Sequence, residues 1–246
     1  MIPRFHCPPS HCTLAPGAHV ELPEVAAHHA LRVLRMKSGD PLVLFDGAGG
    51  EWQAEIKVGA GRTAQATLKT FAARDSESPL HVTLVQALPG GDKMDWVVEK
   101  SVELGIAAIQ PVAAKRSVVR LAEERMARRV THWNHIASAA CEQCGRNRVP
   151  VVAPIIDLPQ YLAAASAQNA LRLMLAPAGE ATLAALPRPA QPVIVLVGPE
   201  GGWEEGELLA ARAAGFQTLR LGPRVLRTET AGAAMLAALQ ALWGDF

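Results

Sequence analysis

The stretches LRLMLA (171–176) and PVIVLV (192–197) are almost wholly apolar and show no sustained polar alternation. A strand of that kind has two buried faces, and a mostly parallel sheet covered by helices on both sides supplies them. Around these two stretches the same rhythm repeats. HVTLVQAL (81–88), IAAIQPV (106–112) and QTLRLG (217–222) are strand-like. DKMDWVVEKSVELG (92–105), residues 121–143, EEGELLAARAAG (204–215) and TETAGAAMLAALQALW (228–243) carry helical periodicity. Strands alternating with helices predict an α/β layer architecture from about residue 80 onward.

The first seventy residues follow a different rule. PLVLFDG (41–47) is a short apolar run closed by the turn pair Asp46-Gly47, and EWQAEIKV (51–58) alternates apolar and polar residues. TAQATLKTF (63–71) repeats that alternation. Period-two strands between glycine turns predict a small barrel or sandwich. One helix, PEVAAHHALRVLRMKSG (23–39), is expected among them, with Pro23 at its entrance and Gly39 past its end. The polar segment AARDSESP (72–79) reads as a linker, which divides the chain at 72/73.

Charge adds a constraint that the totals conceal. With 24 Lys and Arg against 23 Asp and Glu, the net charge is +1, which excludes a generally basic nucleic-acid binder. Yet residues 113–150 hold eight Lys or Arg and three acids, while residues 192–246 hold four basic and six acidic side chains. This segregation suits recognition of one folded anionic site. Aromatic residues are only 4 % of the chain, which argues against stacking along single strands. Trp52, Trp96, Trp133, Trp203 and Trp243 are read as core residues. No run is long and apolar enough to span a bilayer, and MIPRFHCPPSHC lacks the apolar core of a signal peptide, so a cytoplasmic location is expected.

Cys7, Cys12, Cys141 and Cys144 do not have the ligand spacing of a common zinc finger, even with His6 and His11 nearby. Reduced, partly buried thiols and no metal are expected.

Two loops carry the candidate chemistry. Gly198-Pro199-Glu200-Gly201-Gly202 follows PVIVLV, and Gly222-Pro223-Arg224-Val225-Leu226-Arg227-Thr228-Glu229-Thr230 follows QTLRLG. A third, Ala176-Pro177-Ala178-Gly179, follows LRLMLA. Ligands of open α/β sheets bind at the carboxyl ends of strands, so three such loops predict a binding crevice. The first lacks the Lys-Ser/Thr of a phosphate loop, and no strand leads into GxGxxG, so neither ATP nor NAD is expected in the usual manner.

Taken together, VLVGPEGGWEEGE and LGPRVLRTETAGAAML resemble the signature of the SPOUT class of S-adenosylmethionine-dependent RNA methyltransferases. Within it the likeness is to the 16S ribosomal RNA (uracil-N3)-methyltransferase family, RsmE. HHALRVLRMKSGD, KMDWVVEKSVELGIAAIQPV and CEQCGRNRVPVV resemble further motifs of that family, in the same order. Ala139 departs from the pattern, which has an acidic residue there. The resemblance implies an amino-terminal PUA-like β-barrel (1–72) and a carboxy-terminal SPOUT α/β domain (73–246). It also implies a deep trefoil knot over about 172–246, an exception to the usual unknotted topologies. It implies a homodimer acting on the small ribosomal subunit. Ribose 2′-O methylation, another RNA target, or a non-catalytic ribosome-assembly factor on the same fold are the alternatives.

The resemblance also assigns residues. Leu175, Ala176 and Pro177 are expected along the adenosine of the cofactor. Gly198, Pro199, Glu200 and Gly201 approach it, and Leu221, Gly222, Leu226 and Thr230 close the pocket. Uridine N3 carries a proton that must be removed or its anion stabilised. Arg227 suits the anion, and Glu229 or Glu200 accepts the proton or bonds the ligand. RNA contacts are expected at Arg4, His28, Arg32, Arg35 and Lys37 in the barrel, and at Arg116, Arg120, Arg146 and Arg148 beside helix ends.

Overall fold

A computed structural model describes residues 2–60, 63–117 and 123–246. The chain divides into two compact units, Met1–Glu77 with Ser138–Val149, and Ser78–Ala137 with Pro150–Phe246. The sequence division at 72/73 assigned 138–149 to the second unit. These residues join the first through buried polar groups that no periodicity reveals.

The first unit is a five-stranded sheet in the order β1-β3-β4-β5-β2. Its strands are β1 (Arg4–His6), β2 (His19–Glu21), β3 (Pro41–Phe45), β4 (Glu51–Val58) and β5 (Ala64–Ala72). β1 runs parallel to β3, and the other pairings are antiparallel. The alternation in β4 turns Ala54 and Ile56 inward, where they meet Phe5, Leu42, Leu44 and Leu68. Helix α1 (Glu24–His28) begins after Pro23, as expected, and continues into a π-helical turn over His29–Val33. Its Ala26, Ala27 and Ala30 face the same core.

The helix stops well before Gly39. Arg35 takes the left-handed conformation (φ 54°) and the Met36 N–H bonds to Ala30 O at 2.9 Å, which returns the Met36 side chain to the core. The short strands β1 and β2 lacked any periodic signal. The cysteine expectation is corrected for one pair. A turn over residues 8–11 brings the Cα atoms of Cys7 and Cys12 to 6.5 Å and their sulfurs are bonded, whereas Cys141 and Cys144 are free.

The second unit is built on a parallel sheet in the order β12-β10-β11-β6-β7-β8. Its strands are β6 (Val82–Ala87), β7 (Ala108–Ala113), β8 (Val151–Val152), β10 (Leu171–Leu175), β11 (Val193–Val197) and β12 (Gln217–Leu219), with β9 (Ile156–Asp157) also paired to β7. Its helices are α2 (Lys93–Glu103), α3 (Glu123–Cys144), α4 (Leu158–Ala165), α5 (Glu205–Ala213) and α6 (Thr228–Trp243), although the last residues of α3, from Ser138, belong to the first unit. Every residue of β11 is buried, as its unbroken apolar run predicts.

The two faces of the sheet take different helices. Val85, Ala87, Ile194 and Leu196 meet Leu158, Tyr161 and Leu162 of α4 and Ala211 of α5. Leu84 and Gln86 point the other way, toward Gly232 of α6, and α6 packs in turn on α2. Burying a Val, Leu or Ile side chain of this kind contributes about 1.5–3 kcal/mol. Helix α4 was not anticipated, because LPQYLAAA is too short to display a period. Helix α5 starts on a capping box in which Glu204 and Glu207 each accept the other's backbone N–H. No helix among the described residues is long and apolar enough to cross a membrane.

Candidate functional site

A cavity of about 500 Å³ opens at the carboxyl ends of β10, β11 and β12 in the second unit. All three loops singled out in the sequence contribute to it. Leu175, Ala176 and Pro177 come from the first, Gly198, Pro199 and Glu200 from the second, and Leu221, Gly222 and Leu226 from the third. Arg227 and Glu229 line it from the start of α6. Gly201 and Thr230 are not among the lining residues. The Gly201 carbonyl instead accepts a hydrogen bond from Arg116 Nη1 at 3.0 Å, and the Thr230 N–H closes the first turn of α6 on Arg227 O.

The loops are fastened to one another. Trp203 Nε1 donates to Leu175 O at 3.0 Å, and the Ala176 N–H donates to Leu219 O at 3.0 Å. Thr228 Oγ1 donates to Gly198 O. Two glycines are required by close approach. A Cβ on Gly179 would lie 2.5 Å from the Leu219 carbonyl carbon, and one on Gly198 would lie 2.9 Å from the Trp203 ring. Both distances are shorter than real Cβ contacts, so only glycine lets these segments pass.

Charge at the cavity is mixed. Lys93, the first residue of α2, donates to Glu200 Oε1 at 2.8 Å and sits 3.9 Å from Glu229 Oε2. The Gly90 N–H also donates to Glu200 Oε1, at 3.0 Å. Partial burial pushes the Glu200 carboxyl up, but the Lys93 ammonium and the backbone N–H groups outweigh it and hold the carboxyl below its ordinary range. The Glu200 hydrogen bond raises the Lys93 ammonium in turn. Glu229 Oε2 is buried with no hydrogen-bond partner. A buried acceptor in this state costs stability unless a ligand satisfies it. Arg220, Arg224 and Arg227 add exposed cations to the lining.

The donor set suits a ligand that joins a flat apolar group to a cationic tail. Leu175, Leu219, Leu221 and Leu226 offer apolar surface, and the two carboxylates offer partners for positive charge. Among the described residues, no three His, Cys, Asp or Glu side chains group as a metal site.

Sequence reading missed Lys93, Trp203, Arg220 and Thr228. Lys93 had a signal, since Gly90-Gly91 follows a fourth parallel strand and should have been read like the other loops. Trp203 had been assigned to the core, but it is only half-buried and forms cavity wall, while Trp96 is 41 % exposed; Trp133 and Trp243 are buried.

The nine basic residues expected at RNA separate. His28, Arg32, Arg35 and Lys37 are exposed along α1 and the turn after it. Arg148 is exposed and bonds Asp75 at 3.1 Å. Arg116, also exposed, holds the Gly201 carbonyl. Arg120 lies outside the described residues. Arg4 and Arg146 are corrected. The Arg4 side chain is 8 % exposed, paired with Glu51 and bonded to Asn147 and to Arg146 O. Arg146 is likewise buried and paired with Glu77. A guanidinium that burial has already paired with a carboxylate is not available to a phosphate.

Comparisons with known proteins place the chain in a family. Residues 76–240 match the model of the RNA methyltransferase domain, and residues 22–69 match that of the RNA methyltransferase PUA domain. The chain is 35 % identical over 230 residues to Ribosomal RNA small subunit methyltransferase E of Synechocystis, covering 92 % of this chain and 74 % of that one. A crystal structure of Ribosomal RNA small subunit methyltransferase E from Neisseria gonorrhoeae, bound to S-adenosyl methionine, matches with a TM-score of 0.91 and 41 % identity over the full length of both chains. A Legionella pneumophila methyltransferase solved with the bound cofactor SAM matches with a TM-score of 0.94 and 37 % identity, again over both full chains. The fold is therefore that of an RNA methyltransferase. Within that class, the chain belongs to the ribosomal RNA small subunit methyltransferase E family.

Proposed function

We propose that this protein methylates N3 of a specific uridine in 16S ribosomal RNA of the small subunit, with S-adenosylmethionine as methyl donor. The observation that carries the reading is the buried, unbonded Glu229 oxygen beside Lys93 and Arg227 in the cavity at the strand ends. In this reading Leu175, Ala176 and Pro177 bind the adenosine, with Leu221, Gly222 and Leu226 closing over it. Gly198 and Pro199 face the cofactor with backbone, and Glu200 meets its ammonium group. Gly201 and Thr230 support these loops from outside the lining.

The bound cofactor supplies an electrophilic methyl group on a sulfonium. The protein's work is to align the base and manage one proton. Glu229 Oε2 would accept the N3 proton as the new N–C bond forms and the sulfonium S–C bond breaks to leave a neutral thioether, and Arg227 would stabilise the negative charge that develops on the uracil. Arg220 and Arg224, beside the cavity, meet the flanking phosphates. His28, Arg32, Arg35 and Lys37, with Arg116, Arg120 and Arg148, supply further RNA contacts.

Residues 1–72 are read as a PUA-like β-barrel and 73–246 as a SPOUT α/β domain knotted over about 172–246. Exposed Trp96, Leu242 and Phe246 in the second unit support a homodimer. A cytoplasmic location goes with the ribosomal substrate. The test is to incubate the protein with unmethylated small subunits and labelled S-adenosylmethionine, then map the product. N3-methyluridine at one position is expected. A ribose 2′-O-methyl product, or none from folded protein, overturns the assignment.

A further inference from the structure

Gln86 lies on β6 and is fully buried. Its Nε2 donates to Ala87 O at 2.9 Å and to Thr228 Oγ1 at 2.9 Å. A backbone carbonyl can only accept, so Ala87 fixes the amide with its nitrogen toward Thr228. The Thr228 hydroxyl, accepting from Gln86, sends its own proton to Gly198 O. The direction of the whole relay is thus set by one backbone carbonyl.

The last acceptor is a special one. The peptide that joins Gly198 to Pro199 has no N–H, so its carbonyl is the only group through which a hydrogen bond can fix that plane. Gly198 has no side chain to restrict its own rotation. Past Pro199 the chain carries Glu200, which must reach both Lys93 and the Gly90 N–H. The Trp203 ring lies against Gly198, 2.9 Å from where a Cβ would stand. Gln86 meanwhile keeps its Oε1 buried without a hydrogen-bond partner. That arrangement costs stability, and an apolar side chain of similar size would avoid it. What the buried amide supplies is the pair of Nε2 hydrogen bonds, which fix the Thr228 hydroxyl.

We infer that Gln86 and Thr228 are positioning residues, whose relay sets the Gly198–Pro199 peptide plane and through it the cofactor-facing wall at Gly198 and Glu200. This rests on the reading that the cavity takes S-adenosylmethionine.

The test compares Thr228→Val, Thr228→Ser, Gln86→Met and the Gln86→Met/Thr228→Val double variant. Cofactor affinity is measured by calorimetry, stability by thermal unfolding, and KM and kcat separately. Losing one buried hydrogen bond predicts a roughly ten-fold weaker affinity for Thr228→Val. Thr228→Ser keeps the hydroxyl and stays within about two-fold. The double variant should bind no more weakly than Thr228→Val alone, because both changes act on one carbonyl. Wild-type affinity in a folded Thr228→Val or Gln86→Met protein overturns the proposal, as do additive losses or a Thr228→Ser as weak as the valine.

The Trp203 indole N–H, bonded to Leu175 O, provides a readout that needs no cofactor. Its hydrogen-exchange protection should fall in Thr228→Val and return in Thr228→Ser. Wild-type protein that binds no S-adenosylmethionine sinks the cofactor reading alone. Unchanged Trp203 protection in Thr228→Val sinks the relay.

Discussion

The Lys93 ammonium donates to Glu200 Oε1 at 2.8 Å, fastening the first residue of α2 to the loop that follows β11. The same ammonium faces Glu229 at 3.9 Å, so a single cation serves two cavity carboxylates. Replacing Lys93 by Met should therefore lower kcat/KM by about ten-fold or more, through loss of an ordered charge at the site. The pair is partly exposed, and such pairs add little to stability. The melting temperature should then move by no more than about 2–4 °C. Steady-state kinetics beside thermal unfolding check this, and a normal rate in the variant refutes it.

Arg4 separates a structural from an RNA-binding role. Its side chain is buried against Glu51 and Asn147. Removing one partner of a buried pair leaves the other charge uncompensated, so Arg4→Ala should cost about 3–5 kcal/mol in chemical denaturation. Arg32→Glu and Lys37→Glu, on exposed residues, should leave stability within about 0.5 kcal/mol and weaken RNA binding. A stable Arg4→Ala protein with selectively weakened RNA affinity would return Arg4 to the RNA-facing set.

Arg35 holds a left-handed backbone (φ 54°) that a non-glycine residue adopts at a cost of about 1–2 kcal/mol. Arg35→Gly should raise stability by up to about 1 kcal/mol. It should at the same time weaken RNA binding and lower the salt slope of log K by about one. Opposite signs in the two measurements identify a residue retained for contact. Unaltered RNA affinity across a salt series removes Arg35 from the RNA-facing set.

Glu142 gives the first unit a pH dependence. Burial pushes its carboxyl up to about 7, against the opposing His6 N–H and the Arg4 charge. Between 4.5 and about 7 the folded chain keeps a proton that the unfolded chain has released, so stability falls as pH rises through that window. Glu142→Gln preserves an acceptor for the His6 N–H, which donates to Glu142 Oε1 at 2.8 Å. The variant should be more stable than wild type at pH 8 by about 1–3 kcal/mol, and the difference should shrink below pH 5. Denaturation at both pH values decides; parallel curves contradict the assignment.

Gly179→Ala and Gly198→Ala should differ in kind. The first would drive a methyl group into the Leu219–Arg220 backbone, the second into the Trp203 side chain. Backbone cannot step aside as a ring can. Gly179→Ala should therefore lose about 2–3 kcal/mol of stability along with cofactor binding. Gly198→Ala should lose less stability but still bind cofactor poorly, because the ring it displaces holds Leu175 O. Calorimetry and thermal unfolding on both variants separate the cases.

The order of the longer strands and helices was legible because apolar patterning reports burial directly, whereas β1, β2 and α4 were too short to show a pattern. The unbroken run of β11 and the alternation of β4 each state how many faces are covered. That the loops after β10, β11 and β12 share one crevice was legible because parallel strands present their carboxyl ends at the same edge of a sheet. Other features exist only between residues far apart in the chain. Arg4 and Arg146 look like surface cations until their pairing with Glu51 and Glu77 is seen. Lys93 looks like an ordinary first-turn lysine until Glu200, 107 residues later, is brought to its ammonium. Local sequence encodes propensity and burial, which act over a few residues. Charge pairing, close backbone passes and a relay such as Gln86–Thr228–Gly198 depend on distances that only the folded chain sets.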